Sequence, residues 1–108
     1  MSDTLRKVQA LVARGEVQVS LHGLRELAAD AILLGDAMAG CRAATLVEDY
    51  PGFAKGPSVL VLQRDGSARP IHVVWGIPKG RSSPAVLVTA YRPDPRRWSA
   101  DFTIRRKR

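Results

Sequence analysis

The sequence is poor in the residues that staple or metallate a small protein. Its one cysteine, Cys41, excludes a disulfide framework and any cysteine-based metal site, and suits a reducing cytoplasm. The longest unbroken apolar stretches, such as Ala31–Leu34, are only a handful of residues, so no segment is expected to span a bilayer. The opening residues MSDTLRKVQ lack the apolar centre of a signal peptide. No internal repeat, linker or low-complexity segment interrupts the chain. Histidines number two, His22 and His72, so any imidazole chemistry must pass through one or both. Acids are scarce where bases are dense. Residues 55–108 hold three Asp/Glu against twelve Lys/Arg, a balance of +9, whereas residues 1–54 hold seven against five, a balance of −2. A basic half beside a mildly acidic one suggests a polyanionic partner, of which nucleic acid is the commonest; a merely soluble basic surface is the plainer reading.

What remains is an ordinary globular composition, 45% hydrophobic and 25% charged over 108 residues. That suits one domain with its own core, spanning residues 1–108, with an N-terminal helix within 1–15 and a basic tail over 99–108. Leu5, Val8, Leu11 and Val12 recur at helical spacing, with Asp3 or Thr4 as the cap and Gly15 as the stop. Glu16–Val19 reads as a short extended link. Ser20 can cap a second helix that turns Leu21, Leu24, Leu27 and Ala28 to the core, and Asp30 a third that runs to Gly40.

From Ala44 the period becomes strand-like. Thr45–Tyr50 alternates Leu46, Glu48 and Tyr50 on one face with Thr45, Val47 and Asp49 on the other, until Pro51-Gly52. Val59–Leu62 has the unbroken apolar pattern of a strand buried on both faces. Asp65-Gly66 opens a turn into Ile71–Ile77, and a Pro/Gly/Ser/Lys/Arg connection joins that run to Ala85–Tyr91 as a hairpin. The expected fold is α+β: two or three N-terminal helices on one face of a curved, mainly antiparallel sheet of four or five strands.

The blocks Ser20-x-His22, Asp49-Tyr50-Pro51, Gly56-Pro57-Ser58, Pro70-x-His72-Val73-Val74 and Thr89-x-Tyr91-x-Pro93-Asp94-x-x-x-Trp98 resemble a small bacterial family of unknown function. That family is grouped with RelE-like toxins among the metal-independent ribonuclease folds, and the resemblance covers roughly residues 17–104. It implies a RelE-like domain that grips RNA on the exposed sheet face, a toxin that cuts mRNA, often at the ribosome, and an antitoxin partner that silences it. Fold likeness alone does not carry function, which must be argued from a site.

Metal-free RNA cleavage needs a base for the 2′-hydroxyl, an acid for the departing 5′-oxygen and cations for the phosphorane. His22 stands in the first turn of the second helix, with Arg25 and Glu26 three and four residues on. Either Glu26 orients the imidazole and Arg25 takes a phosphate, or the three form a surface ion-pair cluster. His72 alternates with Val74 and Gly76 and so looks away from Ile71, Val73 and Trp75. It is either an acid or base on the RNA-facing surface or a half-buried histidine bonded across the strands.

Tyr91 ends the last strand and can stack on a base or donate a proton, unless its ring packs in the core. Arg92, Arg96 and Arg97 follow it and can clamp phosphate, since three cations at one strand exit meet few acids nearby. Asp94, Pro93 and Trp98 read as structural, folding the chain back over a sheet end. Cys41 reads as a small buried apolar residue.

Three functions are thus expected to compete. The leading one is a RelE-like, metal-independent endoribonuclease toxin with His22, His72 and Tyr91 as catalytic groups and Arg25, Arg92, Arg96 and Arg97 on phosphate. The alternatives are a non-catalytic RNA or ribosome binder and a module that docks an acidic, antitoxin-like protein. None calls for a metal or cofactor, and all suit a cytoplasmic protein.

Overall fold

The computed structural model describes residues 2–107. Helix α1, Asp3–Ala13, is capped by Ser2, whose Oγ accepts from the Leu5 amide at 3.1 Å. The cap thus lies one residue before Asp3 and two before Thr4: Ser2 is the extended residue whose hydroxyl takes up a free first-turn amide, while Asp3 and Thr4 are already helical. Val8, Leu11 and Val12 face the core as their spacing predicts. Gly15 ends the helix with φ +74°, a left-handed conformation that glycine adopts without strain.

The link after α1 is a strand. Val17–Val19 (β1) pairs in parallel with Ala85–Leu87 of β5, Ala85–Tyr91. With β2 (Thr45–Tyr50), β3 (Ser58–Arg64) and β4 (Pro70–Gly76) it makes an open five-stranded sheet in the order β1-β5-β4-β3-β2. All other pairings are antiparallel, so the fold is the α+β arrangement expected, with one parallel edge added.

Helix α2, Leu21–Ala29, begins at Ser20, whose Oγ accepts from the Gly23 amide at 2.9 Å and donates to the Val88 carbonyl at 2.9 Å. The helix lies against β5 on Gly23 and Leu27. A Cβ at residue 23 would stand 2.7 Å from the Leu87 carbonyl oxygen, so this close approach requires glycine. It also corrects the expected inner face. Leu21 and Leu24 are 63% and 51% exposed, and Ala28 is exposed too. The glycine side can come nearer the strand than the leucine side, and it decides the rotation.

Asp30 does not cap a third helix. It follows the end of α2, and its carboxylate accepts from the Arg92 amide at 2.7 Å. Helix α3, Leu34–Gly40, starts after Leu33 with no side-chain cap and passes into a 3₁₀ turn, Cys41–Ala43.

In β2 the pairing steps from Leu46↔Val61 to Glu48↔Leu60, so Val47 is bulged out. The extra residue puts Leu46 against the core and Glu48 and Tyr50 on the opposite face, not all three together as strict alternation predicts. Strand β3 is buried from Ser58 to Gln63, as its unbroken apolar run requires. Its Val59 and Val61 meet Val8, Leu11, Leu27, Ile71, Val73, Trp75 and Leu87 under the helices. In that core Trp75 Nε1 donates to Gln63 Oε1 at 2.9 Å while Gln63 Nε2 donates to the Ala37 carbonyl at 2.7 Å. Cys41 is also buried there, and burial pushes its thiol up to about 11.

Candidate functional site

The sheet face away from the helices carries Glu48 and Tyr50 on β2, Ser58 on β3, His72, Val74 and Gly76 on β4, and Val86, Val88 and Tyr91 on β5. Its cross-strand neighbours are Tyr50↔Ser58, Ser58↔Gly76 and His72↔Tyr91. The step from Val74↔Thr89 to Trp75↔Leu87 leaves Val88 bulged. One half of this face is covered and the other is open.

The cover is the chain after β5. Asp94 turns it, accepting from the Arg96 amide on its carboxylate at 2.8 Å and from the Arg97 amide on its carbonyl at 2.9 Å. Residues 98–105 then close on themselves. Trp98 bridges Arg105, the Ser99 amide donates to the Ile104 carbonyl at 2.7 Å, and Asp101 accepts from the hydroxyls of Ser99 and Thr103, each at 2.7 Å.

Beneath this segment His72 is fully buried, at 0% exposure. Its Nε2 lies 2.8 Å from the Phe102 carbonyl, which can only accept, so Nε2 carries the proton. Nδ1 then accepts from the Tyr91 hydroxyl at 3.2 Å. Burial holds His72 below its usual value and Tyr91 above its own, so both are neutral near pH 7.

Arg105 donates from Nε and Nη2 to the two oxygens of Glu48, at 2.8 and 3.0 Å, and lies 4.7 Å over the Trp98 ring. The bond to Arg105 holds the Glu48 carboxyl below the usual range. The Tyr50 hydroxyl also donates to Glu48, which raises Tyr50. Imidazole, phenol, carboxylate and guanidinium therefore gather on one face. Each is bonded to another protein group, and the imidazole has no surface with which to reach a 2′-hydroxyl.

The residues singled out by sequence do not converge. His22 is exposed on α2, its Nε2 3.5 Å from Glu26 Oε1, and Arg25 is exposed beside it. Of the His22, His72, Tyr91 and Arg92 set, only His72 and Tyr91 touch. Two of the three arginines do find acids. Arg92 Nη2 meets Asp65 Oδ2 at 3.0 Å, and Arg96 Nη2 meets Asp94 Oδ2 at 3.1 Å. Arg92 also has a buried Nη1 with no hydrogen-bond partner. Arg97 is exposed and pairs with no carboxylate among the described residues. Sequence reasoning missed Glu48 and Arg105. Glu48 two residues before Tyr50 was the one signal for the first; Arg105 looked like its basic neighbours.

The open half is a hollow of about 400 Å³, lined by Tyr50, Phe53, Lys55, Gly56, Ser58, Val74, Gly76, Ile77, Pro78, Val86 and Val88. Tyr50 and Phe53 are 42% and 55% exposed. Its end wall is tied tightly. The Ile77 amide donates to the Pro57 carbonyl and the Lys79 amide to the Lys55 carbonyl, both at 3.0 Å. Gly56 sits between them at φ +123°, where a Cβ would stand 2.0 Å from the Ile77 oxygen. Lys55 lines the hollow, Lys79 is thereby its backbone neighbour, and Arg81 follows in the hairpin tip. None of these three cations pairs with a carboxylate among the described residues. Tyr50 belongs to both halves, as a wall of the hollow and a partner of Glu48.

Among the described residues no helix is long and apolar enough to cross a membrane, and no three His, Cys, Asp or Glu side chains are grouped to hold a metal ion. The model of a domain of unknown function, DUF4258, matches residues 19–92. That match runs from the last residue of β1 to just past the end of β5, leaving out α1 and the segment over His72, and carries no link to RelE-like toxins. No curated protein and no solved structure matches the chain.

Proposed function

This chain belongs to the DUF4258 family, whose function is unknown, and we propose that it binds single-stranded RNA on the open half of its sheet without cutting it. The observation that carries this reading is the apolar hollow walled by Tyr50 and Phe53, with Lys55 in its lining and the exposed Lys79 and Arg81 in the loop tied to it. Unpaired bases stack on exposed aromatic rings, and cations beside the rings hold the backbone phosphates. The nearly all-apolar lining offers few groups to read base edges, which favours a sequence-tolerant grip, on free RNA or on ribosomal RNA. The bonded state of His72 favours binding over catalysis.

Fluorescence anisotropy with a labelled twelve-nucleotide single strand tests it. Affinity should fall by roughly 0.7 log units per log unit of salt for each phosphate neutralised. Lys55→Glu with Lys79→Glu should lower both the affinity and that slope. An affinity equal for duplex and single strand, or unmoved by the charge reversal, would overturn the reading.

The RelE-like ribonuclease toxin is the second reading. It is favoured by Glu48, His72, Tyr91 and Arg105 lying on one face, and it requires residues 98–105 to leave the sheet. Its signs are RNA product on a gel and a growth arrest relieved by His72→Ala or by an acidic antitoxin-like partner.

A further inference from the structure

We propose that Glu48 is an internal stand-in for an RNA phosphate. It holds Arg105, and through Arg105 the segment Trp98–Arg105, shut over His72 and Tyr91 until a bound strand supplies a competing phosphate. The inference rests on the RNA-binding reading and adds a lid to its site.

The planar guanidinium fork accepts a carboxylate or a phosphate in the same two-bond geometry. In the closed molecule that fork is filled by both oxygens of Glu48. The same carboxylate accepts from Tyr50, a wall of the hollow. A strand whose base enters the hollow therefore brings its phosphates to the residue that anchors the lid.

The lid is built to move as one piece. Its bonds run mostly within itself, from the Trp98–Arg105 bridge to the Asp101 turn. Its polar fastenings to the sheet are two, the Arg105 fork on Glu48 and the Phe102 carbonyl on His72, with Trp98 packed against the imidazole. Phe102 turns the chain at φ +62° inside those bonds, which aims its carbonyl at His72. Opening would bare the His72 and Tyr91 rings for further bases. RNA then binds the open state better than the closed one, and that difference is what shifts the equilibrium.

Proton–nitrogen NMR of the two tryptophan indoles reads the lid directly, with Trp98→Phe assigning its signal. Two probes are titrated separately into the wild type: the twelve-nucleotide single strand and inorganic pyrophosphate. Both should move the Trp98 indole, while the Trp75 indole, bonded to Gln63 in the core, stays fixed. Glu48→Gln keeps an acceptor for Tyr50 but removes the anion. It should displace the Trp98 signal without ligand and tighten RNA binding about fivefold or more.

RNA bound with the Trp98 signal fixed would overturn the lid and leave the binding reading intact. No RNA binding, with Trp98 moved by pyrophosphate, would end the binding reading and keep the phosphate-operated lid. Should Glu48→Gln fail to fold, the wild-type titrations still decide.

Discussion

The rings of Trp98 and His72 meet edge to face, with 4.5 Å between centroids and 85° between planes. With Phe102 on one ring nitrogen and Tyr91 on the other, this contact seals a neutral imidazole in the fold. Charging it means placing a proton in a site beside Arg105, with Glu48 as the one opposing charge that favours it.

Stability should therefore depend on His72 in a defined direction. Burial, the largest influence, lowers its folded value below the roughly 6.5 of an unfolded chain. Below about pH 6.5 the unfolded chain binds the extra proton, so the contribution is complete above that pH and is lost as pH falls towards the folded value. Urea midpoints should drop between pH 7.5 and pH 5.5 in the wild type. In His72→Gln, which keeps a donor for Phe102, the drop should be smaller. Equal drops would show that His72 titrates in the folded state as it does unfolded.

Gln63 links two layers of the core, accepting from Trp75 and donating to the Ala37 carbonyl of α3. Gln63→Leu is apolar and of similar size but leaves the Trp75 N–H buried without a partner. It should cost about 1–3 kcal/mol in urea unfolding, with an unchanged denaturant slope. A neutral or stabilising result would mean that the indole finds another acceptor.

How far the sequence could be read follows from which interactions are local. Ser20 and the long hairpin were legible because a cap and a strand period are written within a few residues. The rotation of α2 was not, since Gly23 matters only against the Leu87 carbonyl, 64 positions away in the chain. Strand β1 was hidden by its length of three residues, too short to show a period. At the site, the outward direction of His72 was correctly expected, but its burial depends on Trp98 and Phe102 folding back. Arg105 could not be told from Arg106 and Lys107 until Glu48 stood opposite it.

Two glycines separate close approach from mere helix propensity. At Gly23 a new Cβ would overlap the Leu87 oxygen, so Gly23→Ala should destabilise by about 1–3 kcal/mol through overpacking. At Gly35, exposed in α3 with nothing within 4 Å, Gly35→Ala should stabilise by up to about 1 kcal/mol. Thermal midpoints of the two variants should move in opposite directions from the wild type.

The hollow and α2 can be set against each other in one RNA assay. Phe53 is more than half exposed at the hollow, so trimming it removes a stacking face with little effect on the core. A stacked base is worth about 1–3 kcal/mol, so Phe53→Ala should raise Kd by roughly 5- to 150-fold. His22 is exposed on α2, does not line the hollow and pairs with Glu26, so His22→Ala should leave Kd unchanged. The opposite ranking would move the binding surface to α2, where Arg25 also lies. Loss of RNA product in His22→Ala, with Kd intact, would instead make that imidazole catalytic and restore the ribonuclease reading.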